Sequence, residues 1–294
     1  TSETEGSVFV AWSKPTEIDT LQAPGPYLYT VNRARSDHPG QFVTIDSLYS
    51  LNDTLWFDNN LNTSNFSYRY RIDLYNLTPG KRFLIGSSQP ASSLFLTLTP
   101  TDKTLRLQWT NNVPWNNDRF VIYRKDPGQT DFDSIGTSSE PSYRDRGVIN
   151  GMTYCYSIKS IGKYSAGGFV EPIINDSQEA CGVPVDNLPP CPPLLTVSTD
   201  CETSSNTLTW TLPADTCQKD IFRYYIYYSP TPGSLILIDS TLHYDDTVYH
   251  HRPPQSVVGC YAISAIDSVG NRSPLGNTVC IDNTVCSAYN LPNI

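Results

Sequence analysis

Three stretches of this chain alternate apolar and polar residues and end on a tryptophan: SVFVAW closing at Trp12, TLRLQW at Trp109 and NTLTW at Trp210, at intervals of about one hundred residues. A period of two puts every second side chain on one face of a strand, so each stretch reads as a half-buried strand with its Trp turned inward. The same succession follows each Trp. A second alternating run comes at 27–34, 120–125 and 224–229, then a short one (FVTIDS, FDSIGT, LILIDS). An aromatic-Asp edge follows near Phe57-Asp58, Tyr143-Asp145 and Tyr244-Asp245, and a strong strand closes each set at 68–75, 154–161 and 260–267. Gly, Pro, Asn and Ser bound these runs, and helix signals are missing. The pattern predicts an all-β chain of three antiparallel sandwiches.

Charge narrows the functions open to such a chain. The formal net charge is −9 and charged residues make up 17% of the whole. That leaves no basic surface of the kind nucleic-acid binding requires, and disfavours an anionic membrane surface. No run of about 18 apolar residues occurs, so no helical membrane span is expected. The eight cysteines, Cys155, Cys181, Cys191, Cys201, Cys217, Cys260, Cys280 and Cys286, contain no CxxC pair and have no His at ligand spacing. Disulfides in an oxidising compartment are expected, and no metal.

The Trp in the second strand, Tyr in the third and Tyr-x-Tyr in the sixth resemble the core of fibronectin type III domains, an immunoglobulin-like fold. The resemblance covers the whole chain and implies modules at 1–91, 92–188 and 189–286, with 287–294 a linker into a further domain. The stretches 88–93 and 184–193 read as joints between modules, the second stiffened by prolines. The first module opens at its Trp strand, so its first strand is expected to be missing. The resemblance makes Tyr154 a corner tyrosine whose hydroxyl bonds back to the backbone. Gly259 stands in its place in the third repeat, where the neighbouring disulfide is expected to substitute for it. In that fold, cysteines at the same end of neighbouring strands pair, which implies Cys155–Cys181, Cys191–Cys217, Cys201–Cys286 and Cys260–Cys280.

Shorter strings narrow the likeness: VPWNN (113–117), GVINGMTYCYSI (147–158), CPPLLTV from 191, IDSVGN (266–271) and the terminal VCIDNTVCSAYNLPNI. Together they resemble modules that precede the gliding-motility-associated C-terminal domain, the type B sorting domain of type IX secretion in Bacteroidota. The resemblance implies export across the outer membrane, with the secretion machinery and its shuttle protein as partners, to the cell surface or medium. Its motif FTPNGDG, which typically follows LPNI, does not occur in this chain. The tripeptide Asp-(Ser/Thr)-(Ala/Ile/Leu/Val/Met/Thr), similar to the O-glycosylation acceptor of the same bacteria, occurs at Thr20, Ser47, Thr54, Ser134, Ser240, Thr247 and Ser268. Composition predicts roughly one or two matches. The competing reading is that Asp-Ser and Asp-Thr punctuate strand ends through local turns.

For chemistry the residues offer little. HExxH, GxSxG and phosphate-loop strings are absent, His250-His251 would point to opposite faces of a strand, and Asp245-Asp246 lack calcium-loop spacing. No catalytic residue and no cofactor are expected. Trp115, Tyr164 and Phe169 fall in loops where the alternation requires no core filling; they read either as ligand contacts or as packing between modules. The leading expectation is a non-catalytic stalk and interaction tandem, in gliding or adhesion, with a protein or glycan ligand. The alternatives are an accessory subunit held on an outer-membrane complex and a spacer of a secreted hydrolase.

Overall fold

In a computed structural model, which describes residues 6–15, 17–166, 170–212 and 220–286, every regular element is a β-strand. Contacts divide the chain into two units, 1–185 and 186–294. The first unit holds two separate cores, one of residues 8–85 and one of residues 94–180, and the second holds a third core of residues 195–279. The three are called modules 1 to 3 below. No helix among the described residues is long and apolar enough to cross a membrane.

Module 1 comprises β1 (Gly6–Ala11), β2 (Tyr27–Arg35), β3 (Val43–Leu48), β4 (Leu55–Leu61), β5 (Tyr68–Asn76), β6 (Phe83–Ser87) and β7 (Ala91–Ser92). One sheet runs β3-β2-β5-β6, with β7 also on β5, and faces a two-stranded sheet of β1 and β4. Module 2 comprises β8 (Phe95–Thr101), β9 (Thr104–Thr110), β10 (Asn116–Lys125), β11 (Asp133–Ser138), β12 (Ser142–Arg146), β13 (Tyr154–Lys163), β14 (Ile173–Asp176) and β15 (Ala180–Gly182). Its sheets are β12-β9-β8 and β11-β10-β13-β14, with β15 also on β13. Module 3 comprises β16 (Leu194–Asp200), β17 (Ser205–Thr211), β18 (Ile221–Ser229), β19 (Ile236–Ser240), β20 (Val248–His251), β21 (Gly259–Asp267) and β22 (Val279–Ile281), in sheets β16-β17-β20 and β19-β18-β21-β22. Modules 2 and 3 set three strands against four, the order of a fibronectin type III-like sandwich, and module 1 repeats that order with two of the three among its described residues.

The alternation explains the cores. In β9 Leu105, Leu107 and Trp109 are 0, 0 and 4% exposed while their neighbours face out. Each Trp packs edge-to-face on an aromatic of the opposite sheet: Trp12 on Tyr29 at 5.6 Å, Trp109 on Phe120 at 5.1 Å and Trp210 on Tyr224 at 5.3 Å. The stretch 88–93, expected as a joint, is built into the sandwich: Ala91 and Ser92 pair with Tyr70 and Arg69, and Ser88 exchanges bonds with Ile72. Ser92 is also held from module 2, by the Asn112 backbone and the Asn175 amide.

Tyr154 has its expected partner, the Ile149 N–H, which donates to its hydroxyl at 3.1 Å; Tyr68 of module 1 receives the Asn62 N–H at 3.0 Å in the same way. At Gly259 the structure corrects the expectation. The ring of Tyr228 occupies the space, and its hydroxyl donates to the Val258 carbonyl at 2.9 Å. The Cys260–Cys280 disulfide is not the substitute, because Cys155–Cys181 occupies the matching position in module 2 beside an intact Tyr154.

Candidate functional site

The most constrained polar groups are one cluster repeated three times. Strand register aligns Val8 opposite Asp58, Leu105 opposite Asp145 and Asn206 opposite His251. Across the sandwich it aligns Arg33 with Tyr70, Arg124 with Tyr156 and Tyr228 with Tyr261. In module 1 the Arg33 guanidinium donates to both oxygens of Asp58 at 2.8 Å, and the Tyr70 hydroxyl donates to Asp58 Oδ2 at 2.8 Å. In module 2 Arg124 and Tyr156 hold Asp145 Oδ2 at 2.9 and 2.7 Å. Asp58 and Asp145 are 3 and 6% exposed, so each carboxylate needs these donors. Burial, then the adjacent carboxylate, pushes the Tyr70 and Tyr156 hydroxyls far above the usual phenol range.

Module 3 rebuilds the cluster without the ion pair. His251 Nδ1 lies 2.8 Å from the Tyr261 hydroxyl, and the Asn206 amide donates to that same oxygen at 2.9 Å. Tyr228 stacks edge-on against His251 at 4.8 Å. Burial holds the His251 imidazole below its ordinary value and pushes Tyr261 up to about 12. The partner of Asp58 and Asp145 is therefore His251. Asp245, expected from the sequence to match the other two, instead lies in an exposed turn outside the β17–β20 ladder. The signal for the cluster was present as Arg, Asp and Tyr at matching places in two repeats, but its substitution in the third concealed it.

The Asp-Ser/Thr motifs acquire structural roles. Asp46 and Asp239 occupy one repeated position, each bonding the next residue's N–H and accepting from a ring, the Trp56 indole at 2.6 Å and the Tyr249 hydroxyl at 2.9 Å. Thr54 and Thr247 occupy another, their carbonyls accepting the backbone N–H of Trp12 and Trp210. The Asp19 and Asp267 carboxylates cap local turns. These geometries give a physical reason for the excess of the tripeptide. Thr20, Ser134 and Ser268 are exposed, and Ser47, Thr54, Ser240 and Thr247 are half-buried.

Cys155–Cys181, Cys201–Cys286 and Cys260–Cys280 are disulfides. Cys191 is buried and disulfide-bonded; its expected partner Cys217 lies outside the described residues, as does Phe169. Trp115 and Tyr164 come together, ring centroids 6.0 Å apart, with Gly162 leaving room for the indole. The indole N–H donates to Asn117 Oδ1 at 3.2 Å. Beside it opens a groove of about 300 Å³ lined by Asn111, Val113, Asn116, Asn117 and Pro141 among others. In module 3 Asp186, Asp220 and Asp267 bring carboxylate oxygens within 4.8 Å of one another. Asp267 there is already engaged, accepting three backbone N–H groups and the Asn271 amide.

The fold defines the class: a tandem of immunoglobulin-like sandwiches of the fibronectin type III kind. No protein-family model and no curated protein matches the chain. Among solved structures it is similar to the chicken CNTN1 FN1-FN3 domains, at 14% identity over 94% of each chain with a TM-score of 0.30. A two-domain fibronectin type III segment of chicken tenascin matches at 18% identity over 65% of this chain and 99% of that one, with a TM-score of 0.39.

Proposed function

We propose that this chain is a non-catalytic spacing and interaction tandem of an exported, extracellular or cell-surface protein. One observation carries the reading: at one repeated position in each module a polar or charged side chain is spent on tying the two sheets of the sandwich together. Asp58, Asp145 and His251 point inward, each bonded to an aromatic hydroxyl of the opposite sheet. Disulfides add covalent closure in modules 2 and 3. Such modules carry load and present surfaces. Single-molecule pulling of the full chain tests this: three separate unfolding events are expected, with extensions in modules 2 and 3 shortened by their disulfides. One cooperative event spanning the chain, or turnover on polysaccharide or peptide substrates, would sink the reading.

The short strings in the sequence support a finer assignment, to the stem of a type IX secretion substrate in gliding or adhesion, released or held at the outer membrane. Expression in a Bacteroidota host fused to a sorting domain is expected to bring the tandem to the surface, and deletion of the translocon to retain it in the periplasm. In such a host, hexose additions are expected first at the exposed Thr20, Ser134 and Ser268. A second reading rests on the Trp115 groove, where an aromatic ring flanked by amides suits a sugar face. Trp115→Ala is expected to abolish retention on a glycan array if that groove is the ligand site.

A further inference from the structure

The net charge of −9 hides one strongly basic surface. In module 2 Leu105, Leu107 and Trp109 fill the core, so alternation turns Thr104, Arg106 and Gln108 of β9 outward. Strand register lays three rows across that outer face. They are Thr97, Gln108 and Ser142, then Thr99, Arg106 and Arg144, then Thr101, Thr104 and Arg146. No Asp or Glu stands in any row, and all three arginines are exposed. Directly opposed side chains of a ladder root about 4.5–5.5 Å apart, and same-face neighbours along one strand about 7 Å apart, so the three guanidinium groups share one small area.

Two observations set these arginines apart. Arg33, Arg35, Arg71 and Arg124 each reach a carboxylate of this chain within 2.9 Å. Among the described residues Arg106, Arg144 and Arg146 enter no ion pair. Moreover, Arg106 lies directly opposite Arg144. Like charges in that position repel and lower the stability of the sheet. The fold does not ask for them, because the matching pair is Thr207 and His250 in module 3 and Phe9 and Phe57 in module 1.

We propose that this outer face of module 2 binds an acidic polysaccharide, whose sulfate or carboxylate groups are held by Arg106, Arg144 and Arg146. A guanidinium donates two parallel N–H bonds to such an anion, and an anion between Arg106 and Arg144 relieves their repulsion. The surrounding residues select the polymer. Hydroxyls of Thr and Ser and the Gln108 amide both donate and accept, which matches the hydroxyls of a sugar chain. The three rows hold no aromatic ring on which a nucleic-acid base could stack. They also hold no apolar anchor of the kind that centres a protein interface. A sheet face without a cleft suits an extended chain laid across it. The proposal rests on the interaction part of the reading above and names the partner's class; none of the residues in the rows lines the Trp115 groove.

The test titrates the full chain with fluorescent heparin oligosaccharide and with oligogalacturonate of equal length, the first carrying sulfate and carboxylate, the second carboxylate alone. Dextran, poly-glutamate and single-stranded DNA are the comparators. Saturable binding of at least one acidic glycan is expected, weakening as salt rises, with none to dextran. Which of the two binds tells whether sulfate is required. Arg106→Gln combined with Arg144→Gln should weaken binding at least about tenfold, with the melting temperature level or raised because a like-charge pair is gone. Arg144→Glu should weaken binding as strongly and raise the melting temperature, since it sets an opposite charge across from Arg106. Lys14→Gln combined with Lys81→Gln removes the same formal charge from exposed positions in module 1 and should leave affinity unchanged. An equal loss in that lysine variant, equal binding of dextran, tighter binding of poly-glutamate or DNA, or no binding at all overturns the proposal. None of those results changes the pulling behaviour, so the spacing role stands or falls separately.

Discussion

Asp145 shows how much one buried charge demands. It accepts from Arg124 and Tyr156; Arg124 also pairs with the more exposed Asp126 at 2.6 Å, so the hydroxyl of the buried Tyr156 depends on Asp145 more than the guanidinium does. Asp145→Asn keeps the shape but removes the buried one of the two carboxylates around Arg124 and the charged acceptor of Tyr156. A loss of about 2 kcal/mol is expected for module 2 in urea denaturation. Asp245→Asn, in an exposed turn, should change stability by less than about 0.5 kcal/mol. His251 makes a prediction of opposite origin. Burial depresses its folded pKa, so the neutral form is favoured in the fold and the unfolded chain takes up the proton first as pH falls. The groups around it, Tyr228, Tyr249 and Tyr261, stay neutral there and offer no compensating charge. Module 3 should therefore hold full stability above about pH 7 and lose it as pH drops below the ordinary histidine value. Melting curves at pH 7.5 and 5 check this, and His251→Gln should flatten the difference.

At the scale of strands, coupled substitutions matter more than single ones. Where modules 1 and 2 place an Arg stacked on the corner tyrosine, Arg33 over Tyr68 at 5.7 Å and Arg124 over Tyr154 at 5.6 Å, module 3 has Tyr228 and Gly259. The glycine is required: a Cβ there would lie 2.3 Å from Tyr228 Cε2, and φ is +149°. Gly259→Ala should cost about 2 kcal/mol in denaturant unfolding, and Gly259→Ala combined with Tyr228→Leu markedly less, because the second change vacates the space. Alternation and turn residues made the main strands legible, since they follow from local chemistry. The two-residue β7 was not legible: Ala91-Ser92 in SSQPAS carries no strand pattern, and only the free edge of β5 recruits it. The register that aligns His251, and not Asp245, with Asp145 was equally hidden, because the turn before β20 differs in length from its counterpart.

On the scale of the whole chain, covalent closure is uneven. All eight cysteines lie at or after residue 155. Reduction should lower the melting of modules 2 and 3 and leave module 1 unchanged. The loops closed by Cys155–Cys181 and Cys201–Cys286 span 26 and 85 residues, each worth on the order of 3–5 kcal/mol by chain entropy. Calorimetry with and without reductant separates the transitions.

Sequence alone determined what depends on residue type and local order: strands from period-two alternation, three modules from the recurrence of Trp strands, and covalent bonding from an even set of cysteines without metal-ligand spacing. Tertiary structure decided what depends on residues distant along the chain meeting across two sheets. It brought Arg, Asp and Tyr from three different strands together around one buried carboxylate and put Tyr228 into the space of a missing corner tyrosine. Those outcomes rest on register and on which neighbour fills which volume, and neither is written in any single stretch of residues.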